Sequence, residues 1–515
     1  MKTGARTAVL LVLGLFAAGV VARWNLILNR PLAGFADNED SASHVLATAK
    51  CYRQASWRVH YGLPIFTFAA TQDKGIDDLP SASRQDKAGN VYYTSFPPGV
   101  FLAGYLVANA GDPIVSLRLF NVLLQGLTSL LLGGLAYKAS GNWLAACAAA
   151  AVYAATPESL KSHSIGFWAQ QVYAPIMVVQ VGLATFRPRS PWLPAIGFFA
   201  CLLEWTAFPL GMGVTLCGWL RFRKTGDRAD LWAAVANLCA ILAGGLTLIG
   251  WYGLIMDPKE YLVSLGYRAG VRSTRIALMG SLVLRYGKSF GAFLVPMAAS
   301  LMLIMSKRSR QWGCWGWIFV LYGSALLENI VMGDHALKYS YDRLKGVQVS
   351  ALLIAWAAAE VPKWRTAIFG SCLAAGVLSI ALIWFSFDFT QDFQSLEYTL
   401  HEKLGGVVAL TASDKGPAFL NDLVRGHTLY YSGRNLVQGT ESAAEYCRSH
   451  GWSEGTTYEL SQDLRSVRVM LVQAGGTKDE RGVFKLGEYT SRALNGDWIT
   501  EQLAWFAGKD SPRYQ

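Results

Sequence analysis

The stretch TAVLLVLGLFAAGVVARWNLILNRPLAGFADNEDSASH, residues 7–44, decides the fold class, because an apolar run passes abruptly into a cluster of acids. Residues 7–28 are long enough to cross a bilayer as a helix. A basic start before an apolar run is also typical of a signal peptide, but this run is long and the match to a cleavage site is loose. We therefore predict an uncleaved first span, followed by Asp37, Glu39 and Asp40.

The composition of the whole chain excludes an ordinary soluble protein. Of its 515 residues, 52% are hydrophobic and only 16% are charged, and the mean hydropathy is +0.27. Apolar runs of this kind recur along most of the length and indicate membrane spans. The net charge of +11 comes from short basic clusters between these runs, which indicates membrane topology and not a nucleic-acid partner.

The apolar runs predict a polytopic α-helical membrane protein with about eleven transmembrane helices in residues 1–386. The basic clusters all fall on one face of this topology, which the positive-inside rule assigns to the cytoplasm. We therefore expect a cytoplasmic membrane, as in a bacterium, with the first loop 29–113 and the tail 387–515 on its periplasmic or extracellular side. The predicted spans are 7–28, 114–137, 142–160, 170–186, 191–204, 206–220, 230–254, 288–306, 311–330, 345–360 and 365–386.

The shortest pair of spans lies in residues 191–220. At a rise of about 1.5 Å per residue, two helices in this stretch would each be short for crossing a bilayer. A single crossing, however, would place either Arg187 with Arg189 or the RFRK cluster on the outer face, against the charge pattern. We therefore predict a short helical hairpin with Glu204 at its outer tip.

The tail 387–515 differs in composition from the membrane part and predicts a small mixed α/β domain. Predicted strands are GVVALTAS (406–413), SVRVMLVQAGG (466–476) and GVFKLGEY (482–489), and predicted helices are SAAEYCRSHGW (442–452) and DWITEQLAWFAG (497–508). Of eight cysteines, only Cys51 and Cys447 fall outside apolar runs. Because an extracytoplasmic compartment permits disulfides, we predict that these two pair and tie the first loop to the tail.

The acids after the first span have a structural and a catalytic interpretation. Asp37 or Asn38 is a suitable N-cap for a helix that begins near Glu39, where acids are also favoured by the helix dipole. The two interpretations are compatible, because a cap also fixes a catalytic carboxylate in place.

The loop 255–287 carries a row of arginines. Arg268, Arg272 and Arg275 are spaced by four and three residues, so a helix would align them in one stripe. Such a stripe is typical of a solvated or headgroup-facing edge, and equally of a phosphate-binding surface, for which guanidinium groups are well suited.

Residues 326–346, LLENIVMGDHALKYSYDRLKG, form another polar segment at the outer end of a span. Helical spacing would place His335, Tyr339 and Asp342 on one face. A lone histidine there is more often structural, but basic neighbours favour a binding site. These neighbours are Lys338, Arg343 and Lys345.

Charged residues avoid the middle of the predicted spans. Arg118, Glu204, Arg285 and Glu328 all fall near outer ends. Proton- and ion-coupled transporters usually need ionisable groups at mid-depth, so the pattern weighs against a transporter and favours chemistry at the outer surface.

The layout resembles the GT-C superfamily of integral-membrane glycosyltransferases, which includes protein O-mannosyltransferases and lipid A aminoarabinose transferases. In that superfamily a modified DxD motif such as DxE follows the first span. Here Asp37 and Glu39 of "DNE" occupy its place, and His44 follows. "SFPPG", residues 95–99, stands where those families have a His-Pro-Pro-like turn, with Phe96 at the position of the histidine.

The resemblance implies an inverting transferase that moves a sugar from a polyprenyl-phosphate donor to a hydroxyl group of a glycan, lipid or protein at the membrane surface. Asp37 would be the general base, with Asp40 as the alternative, and Glu39 would orient the acceptor or hold a divalent cation such as Mg²⁺ or Mn²⁺. The acceptor side would include His44, Tyr93 and Glu204. The donor phosphate would meet Arg268, Arg272, Arg275, His335, Lys338, Tyr339, Arg343 and Lys345.

Two other functions remain open at this point. A polysaccharide polymerase or oligosaccharide ligase would use a similar lipid carrier but transfer a longer chain. A non-enzymatic outer-face scaffold or sensor, whose tail binds a partner, belongs to a different class and would tolerate neutralisation of the acids.

Overall fold

The computed structural model describes residues 3–29, 39–68, 83–165, 167–272, 279–306, 313–339, 341–389, 402–420, 425–438, 440, 442–461 and 465–486. A mostly helical part is followed by a small sheet. Six helical segments of these residues are long and apolar enough to cross a membrane: Gly4–Ala22, Pro113–Ser140, Arg228–Tyr252, Met279–Ser306, Gly313–Val331 and Pro362–Trp384. The protein is therefore a multi-pass membrane protein, and the number of eleven spans stays a prediction.

Each predicted span overlaps at least one observed helix. The helices are α1 (Thr3–Ala22), α2 (Trp24–Asn29), α3 (Glu39–Ala55), α4 (Gly99–Ala108), α5 (Pro113–Ser140), α6 (Trp143–Ala155), α7 (Pro157–Ile165), α8 (Ala169–Phe186), α9 (Trp192–Cys201), α10 (Ala207–Thr225), α11 (Arg228–Tyr252), α12 (Pro258–Arg272), α13 (Met279–Phe290), α14 (Leu294–Ser306), α15 (Gly313–Val331), α16 (Gly333–Lys338), α17 (Leu344–Glu360) and α18 (Arg365–Phe389). Short 3₁₀ turns, Gly291–Phe293, Tyr341–Arg343 and Pro362–Trp364, precede α14, α17 and α18.

Local sequence signals explain where the longest helices begin and end. Asp112 caps α5 by accepting a hydrogen bond from the Val115 amide, and Pro113 occupies the first helical position, where no amide hydrogen is needed. Gly141 ends the helix at a φ of 67°, a conformation that glycine adopts without strain. Asn142 then caps α6, so the chain reverses within two residues.

The alanine-rich helix α6 lies at the centre of the membrane part. It packs against α1, α5, α17 and α18, and Ala148, Ala149 and Ala151 are fully buried. Small side chains let helices approach closely; a Cβ on Gly133 of α5 would lie 3.2 Å from the carbonyl oxygen of Ala146. Close packing of small residues therefore holds the bundle together.

A buried arginine marks the end of the first span. Arg23 interrupts the helix between α1 and α2, and its side chain is 1% exposed. It donates hydrogen bonds to the Leu160 carbonyl at 2.6 Å, to the Ser164 hydroxyl at 3.0 Å and to Gln125 Oε1. A buried guanidinium needs such acceptors, and here they tie α1 to α5 and α7.

The first loop folds against the membrane part. Its helix α3 begins at Glu39, as predicted, and packs on α4, where a Cβ on Gly104 would lie 2.1 Å from Val45 Cγ1. A two-stranded antiparallel hairpin of β1 (Ser83–Gln85) and β2 (Val91–Tyr93) leads to α4 through Pro97 and Pro98.

The tail contains a five-stranded sheet of order β4-β3-β5-β6-β7. Strand β3 is parallel to β4 and β5, whereas the β5–β6 and β6–β7 pairs are antiparallel. The elements are a helix at 402–411 (α19), β3 (Ala418–Leu420), α20 (Arg425–Ser432), β4 (Leu436–Gln438), α21 (Ala443–Ser449), β5 (Glu454–Leu460), β6 (Ser466–Gln473) and β7 (Lys478–Lys485). The described tail is therefore mixed α/β.

Most of the predicted tail elements are confirmed, with one clear error. The predicted strand at 466–476 is β6, residues 482–485 of the next predicted strand lie in β7, and the helix at 442–452 contains α21. The predicted strand 406–413 is wrong, because most of it is the helix α19. Leu404 and Val408, four residues apart, are buried, while Leu410 is 86% exposed, so the buried face has a helical period. The predicted helix 497–508 lies outside the described residues.

The tail is docked on the first loop by polar contacts. Lys50 Nζ of α3 donates a hydrogen bond to the Tyr430 carbonyl of α20 at 2.5 Å, and the Phe68 amide donates one to Asn435 Oδ1 at 2.7 Å. The predicted disulfide is wrong: Cys51 and Cys447 are both free thiols, buried in two different apolar clusters. The loop and tail are therefore held together by packing and hydrogen bonds.

Candidate active site

A hydrogen bond joins the first loop to the segment before α17. The hydroxyl groups of Ser41 and Tyr341 lie 2.6 Å apart, and both residues are buried. Ser41 belongs to the first turn of α3, whose backbone also carries Glu39 and Asp40. The contact therefore holds the acid-bearing turn of the first loop against the segment 341–345.

The segment 341–345 is brought to His335 by a turn and not by one continuous helix. The prediction that His335, Tyr339 and Asp342 share one helical face is wrong, because α16 ends at Lys338 and Asp342 lies in a 3₁₀ turn. The three side chains are nevertheless close together. His335 Nδ1 is hydrogen-bonded to Asp342 Oδ2, and the ring centroids of His335 and Tyr339 lie 4.4 Å apart.

Asp342 also begins a polar chain that reaches Glu204. Gln170 Nε2 donates hydrogen bonds to Asp342 Oδ1 at 2.5 Å and to Glu204 Oε1 at 3.2 Å. Glu204 lies in the turn between α9 and α10, so the predicted hairpin is present. Burial and the negative charge of Glu328 raise the pKa of the Glu204 carboxyl well above its ordinary value.

Lys345 pairs with a second glutamate beside this chain. Its Nζ donates hydrogen bonds to Glu328 Oε2 at 2.6 Å and to the Thr206 hydroxyl at 3.0 Å. Both charged side chains are largely buried, at 4% and 11% exposure for Lys345 and Glu328. A buried ammonium group is stable only when it is paired with a negative charge and hydrogen-bonded, as Lys345 is here.

Arg343, two residues before Lys345, forms an ion pair with a different glutamate, Glu158. Its Nε lies 3.2 Å from Glu158 Oε2 and donates to the Ser289 hydroxyl at 2.8 Å. Its Nη1 donates to the Ala336 carbonyl at 2.6 Å, and its Nη2 donates to Glu158 Oε1 at 3.3 Å. All three nitrogens are therefore engaged in holding α7, α13 and α16 together.

Aromatic rings surround His44 one turn after the acid motif. Its ring centroid lies 4.9 Å from that of Phe66, 5.1 Å from that of Tyr93 and 6.5 Å from that of Trp168. Phe96, the residue of the Pro-Pro turn, lies 4.7 Å from Trp168 and 5.8 Å from His335. The aromatic cluster thus connects the first loop to the His335 side of the site.

An apolar cavity of about 400 Å³ opens beside the Lys345–Glu328 pair. It lies between the start of α10, the middle of α12 and the end of α15. Its wall is almost entirely apolar apart from Ser95 and Glu328. The apolar lining includes Trp205, Phe208, Leu265, Leu327 and Met332.

The structure brings seven of the predicted site residues into one region and leaves others undescribed. Those placed together are His44, Tyr93, Glu204, His335, Tyr339, Arg343 and Lys345. Asp37 and Arg275 lie outside the described residues. For Glu39, Asp40, Arg268, Arg272 and Lys338 the helical backbone is described and the side chain is not. Arg268 and Arg272 lie on α12, as their spacing predicted.

Within the described part of the chain, no group of three or more His, Cys, Asp or Glu side chains is arranged to hold a metal ion. The acids Asp37, Glu39 and Asp40, for which a cation was considered, lack described side chains. A divalent cation therefore stays a prediction tied to these acids.

Several residues of the site were not found from the sequence. Ser41 and Tyr341 are 300 positions apart, and Gln170 is 172 positions from Asp342, so no local pattern connects them. Glu158 carried a weak signal, an acid directly after Pro157 at the end of a predicted span. Such an acid at a helix start is usually explained by the helix dipole alone.

Comparison with known proteins gives structural neighbours without close sequence relatives. No family model and no curated protein matches the chain. ArnT from Cupriavidus metallidurans bound to undecaprenyl phosphate aligns with a TM-score of 0.57 at 12% identity, over 86% of this chain and 87% of ArnT. Its apo structure aligns with a TM-score of 0.56 at 12% identity, over 88% and 93%.

A second neighbour is the archaeal oligosaccharyltransferase AglB from Archaeoglobus fulgidus, in complex with an inhibitory peptide and a dolichol-phosphate. It aligns with a TM-score of 0.50 at 12% identity, over 86% of this chain and 66% of AglB. Both neighbours belong to the GT-C superfamily of glycosyltransferases. The chain therefore shares the GT-C fold of ArnT, as the layout and motifs of its membrane part predicted.

Proposed function

We propose that the protein is an inverting glycosyltransferase that moves a sugar from a polyprenyl-phosphate donor to a hydroxyl acceptor. The observation that carries this proposal is the Ser41–Tyr341 hydrogen bond of 2.6 Å. It brings the backbone turn that carries Glu39 and Asp40 against the segment that carries Lys345. A fold shared with ArnT supports the same chemistry.

Carboxylates and cations have complementary tasks in this reaction. The acceptor hydroxyl needs a general base, for which Asp37 is the first choice and Asp40 the alternative. The phosphate is already a good leaving group and needs electrostatic stabilisation, not protonation by an acid. A single displacement through an oxocarbenium-like transition state then inverts the anomeric carbon.

The arginine stripe would contribute to the same phosphate site. Residues Arg268 and Arg272 lie on α12, and Ala269 of the same helix lines the apolar cavity. Because guanidinium groups bind phosphate through paired hydrogen bonds, this helix is suited to a headgroup at the mouth of the cavity. The remaining donor-side candidates are Arg275, His335, Lys338, Tyr339, Arg343 and Lys345.

The apolar cavity supports a lipid-linked donor. ArnT is bound to undecaprenyl phosphate, and AglB is in complex with a dolichol-phosphate. In this chain an apolar volume of about 400 Å³ ends at Glu328, the partner of Lys345. A prenyl chain in the cavity would place its phosphate beside the basic residues. The acceptor side would then contain His44, Tyr93 and Glu204.

We place this site at the periplasmic or extracellular face of a bacterial cytoplasmic membrane, as the basic clusters predict. The acceptor would be a glycan, a lipid or a protein of the cell envelope. Glu39 would orient that acceptor or hold a Mg²⁺ or Mn²⁺ ion. The tail, docked on α3, would form part of the surface that the acceptor approaches.

Binding of the bare carrier tests the proposal without knowledge of the sugar. The purified chain in lipid nanodiscs should be stabilised by undecaprenyl phosphate, by about 2.7 kcal/mol at a hundredfold excess over Kd. Undecaprenol, which lacks the phosphate, is the matched control and should stabilise the chain much less. Equal effects of the two lipids, or no effect of either, would contradict a phosphate-linked donor.

An oligosaccharide ligase is the second candidate, because AglB is an oligosaccharyltransferase and shares the fold. The two activities differ in the length of the transferred glycan. Transfer of a single sugar supports the transferase, and transfer of a preassembled chain supports the ligase.

A further inference from the structure

Helices α8 and α10 run from the candidate site to the opposite end of the bundle. At their starts, Gln170 donates a hydrogen bond to Asp342, and Thr206 accepts one from Lys345. At their other ends, Arg221 of α10 donates hydrogen bonds to two carbonyls in the last turn of α8. A surface at this far end is therefore separate from the candidate site.

Further helices have an end beside these two. Arg189, which follows α8, pairs with Asp227 and Asp230 at the start of α11, at 2.5 and 2.8 Å. Lys138, near the end of α5, has its Nζ 5.3 Å from the ring centroid of Phe186, the last residue of α8. The ends of α5, α8 and α10 and the start of α11 therefore meet at one place, which we call the basic end.

Cations outnumber acids at the basic end. Besides Arg189 it carries five exposed cations: Lys138, Arg187, Arg223, Lys224 and Arg228. None of the five forms an ion pair with an acid of the described residues. The acids of the described helix ends on this side are Asp227 and Asp230, which Arg189 already matches, and Glu360 at the end of α17, three residues before Lys363.

Aromatic rings place these cations at the depth of the lipid headgroups. The guanidinium of Arg223 lies 5.4 Å from the ring centroid of Trp219, and such a contact orients a cation without neutralising it. Exposed tryptophans also stand at the starts of neighbouring helices: Trp143 in α6, Trp192 in α9 and Trp232 in α11. Tryptophan at the ends of membrane helices is typical of the boundary between hydrocarbon and headgroups.

One face of α10 has the same order of polarity as a phospholipid. Met212, Leu216, Trp219 and Arg223 follow each other at intervals of four, three and four residues, so they lie in one stripe along the helix. The first three are 53%, 47% and 42% exposed, and Arg223 is exposed as well. The stripe passes from aliphatic through aromatic to cationic, as a phospholipid passes from acyl chain to headgroup phosphate.

We infer that the basic end binds the headgroup of an anionic phospholipid, with an acyl chain along the α10 stripe and the phosphate at Arg223. Arg187 and Lys224 add positive charge at the adjoining ends of α8 and α10. Guanidinium and ammonium groups form charge-assisted hydrogen bonds with phosphate oxygens. A zwitterionic lipid brings its own cation to the headgroup, so it gains less from this surface.

Lipid binding by the folded protein tests the inference, because a role in topology alone is complete once the chain has been inserted. Native mass spectrometry of the full chain in detergent micelles gives the Kd of phosphatidylglycerol and that of phosphatidylcholine with the same acyl chains. The variants are Arg187→Gln, Arg223→Gln and Lys224→Gln, singly and combined. The matched control combines Lys478→Gln, Arg481→Gln and Lys485→Gln on the exposed strand β7, which changes the net charge by the same amount.

The wild type should bind phosphatidylglycerol more tightly than phosphatidylcholine. Each single variant should lower this preference about fivefold, the effect of one cation beside an anionic lipid, and the β7 control should keep it. Raising NaCl from about 0.05 M to about 0.5 M should weaken the wild-type preference, because exposed charges are screened. The salt measurement needs no variant, so it tests the inference even if a substitution prevents insertion.

Equal Kd values of the two lipids for the wild type would overturn the inference, and so would a preference that does not respond to salt. A preference that survives the combined variant, or that the β7 control lowers as much, would also overturn it. The proposed function does not depend on these outcomes, because the candidate site lies at the other end of α8 and α10.

Discussion

Ser41 and Tyr341 share a buried hydrogen bond of 2.6 Å across 300 positions of sequence. The bond links the first turn of α3 to the turn before α17, next to Asp342. The first turn of α3, which begins at Glu39 of the acid motif, is therefore held in place by the segment before α17.

Removing one hydroxyl of this pair should lower both stability and activity. Tyr341→Phe leaves the buried Ser41 hydroxyl without its partner, which costs about 1–3 kcal/mol. The pair should be coupled, so that Ser41→Ala combined with Tyr341→Phe costs less than the sum of the single changes. Thermal unfolding and turnover are measured for all three variants. Additive losses would show that the bond does not hold the two segments together.

The general base is tested by a substitution that keeps the shape of the side chain. Asp37→Asn retains capping ability but removes the basic carboxylate, so it should fold normally and lose about 10² to 10⁴ in rate. Asp40→Asn is the matched control for the same turn. If Asp37→Asn is fully active and Asp40→Asn is inactive, the general base is Asp40 and not Asp37. If both variants are active, the acids serve only as a helix cap.

The arginine stripe and Arg343 should respond to substitution in different ways. Arg268→Ala, Arg272→Ala and Arg275→Ala should each weaken donor use by about 1.5–3 kcal/mol while the fold is retained.

Arg343→Gln should instead destabilise the protein by about 3–5 kcal/mol, because it leaves Glu158 as an uncompensated buried charge. Donor titrations and unfolding curves separate these effects. Normal donor dependence of all three stripe variants would place the phosphate site elsewhere.

The buried Glu204 carboxyl predicts a pH-dependent stability. Below its ordinary pKa of about 4.5 the group is protonated in the folded and unfolded chains alike. Above that pH the unfolded chain releases the proton first, because burial raises the folded-state pKa, so stability falls as the pH rises.

Glu204→Gln copies the neutral form and removes this dependence. The variant should match the wild type near pH 4 and unfold at a higher temperature than the wild type at neutral and alkaline pH, by roughly 2–4 °C per kcal/mol for a large domain. Thermal unfolding across this range is the measurement. Parallel pH profiles for the two proteins would mean that Glu204 is ionised in the folded state.

Hydropathy in the sequence predicted the membrane helices, because membrane spans are read from length and apolar composition. The GT-C fold was expected only from the resemblance of the layout and the acid motif to that superfamily. The charge pattern placed Glu204 in the tip of a hairpin, and the capping residues Asp37 and Asn38 predicted that α3 begins near Glu39. The prediction failed for residues 406–413, where β-branched residues favoured a strand and packing of Leu404 and Val408 selected a helix.

The candidate site was only partly predictable for a related reason. Sequence spacing finds groups on one element, such as the arginines of α12, but contacts between elements depend on how the helices pack. The Asp342–Gln170 contact and the Arg343–Glu158 pair join segments more than 170 positions apart. Arg343 was therefore expected at a phosphate, although its donors hold three helices together.

The central claim is transfer of one sugar from a polyprenyl phosphate at this site. It is tested most directly by mass spectrometry of lipid-linked sugars and envelope glycans in a strain that lacks the gene. The account predicts accumulation of a polyprenyl-phosphate monosaccharide and loss of one sugar from an envelope glycan, both reversed by the wild-type gene but not by Asp37→Asn. Unchanged lipid-linked sugars and glycans, or reversal by Asp37→Asn as complete as by the wild type, would contradict it.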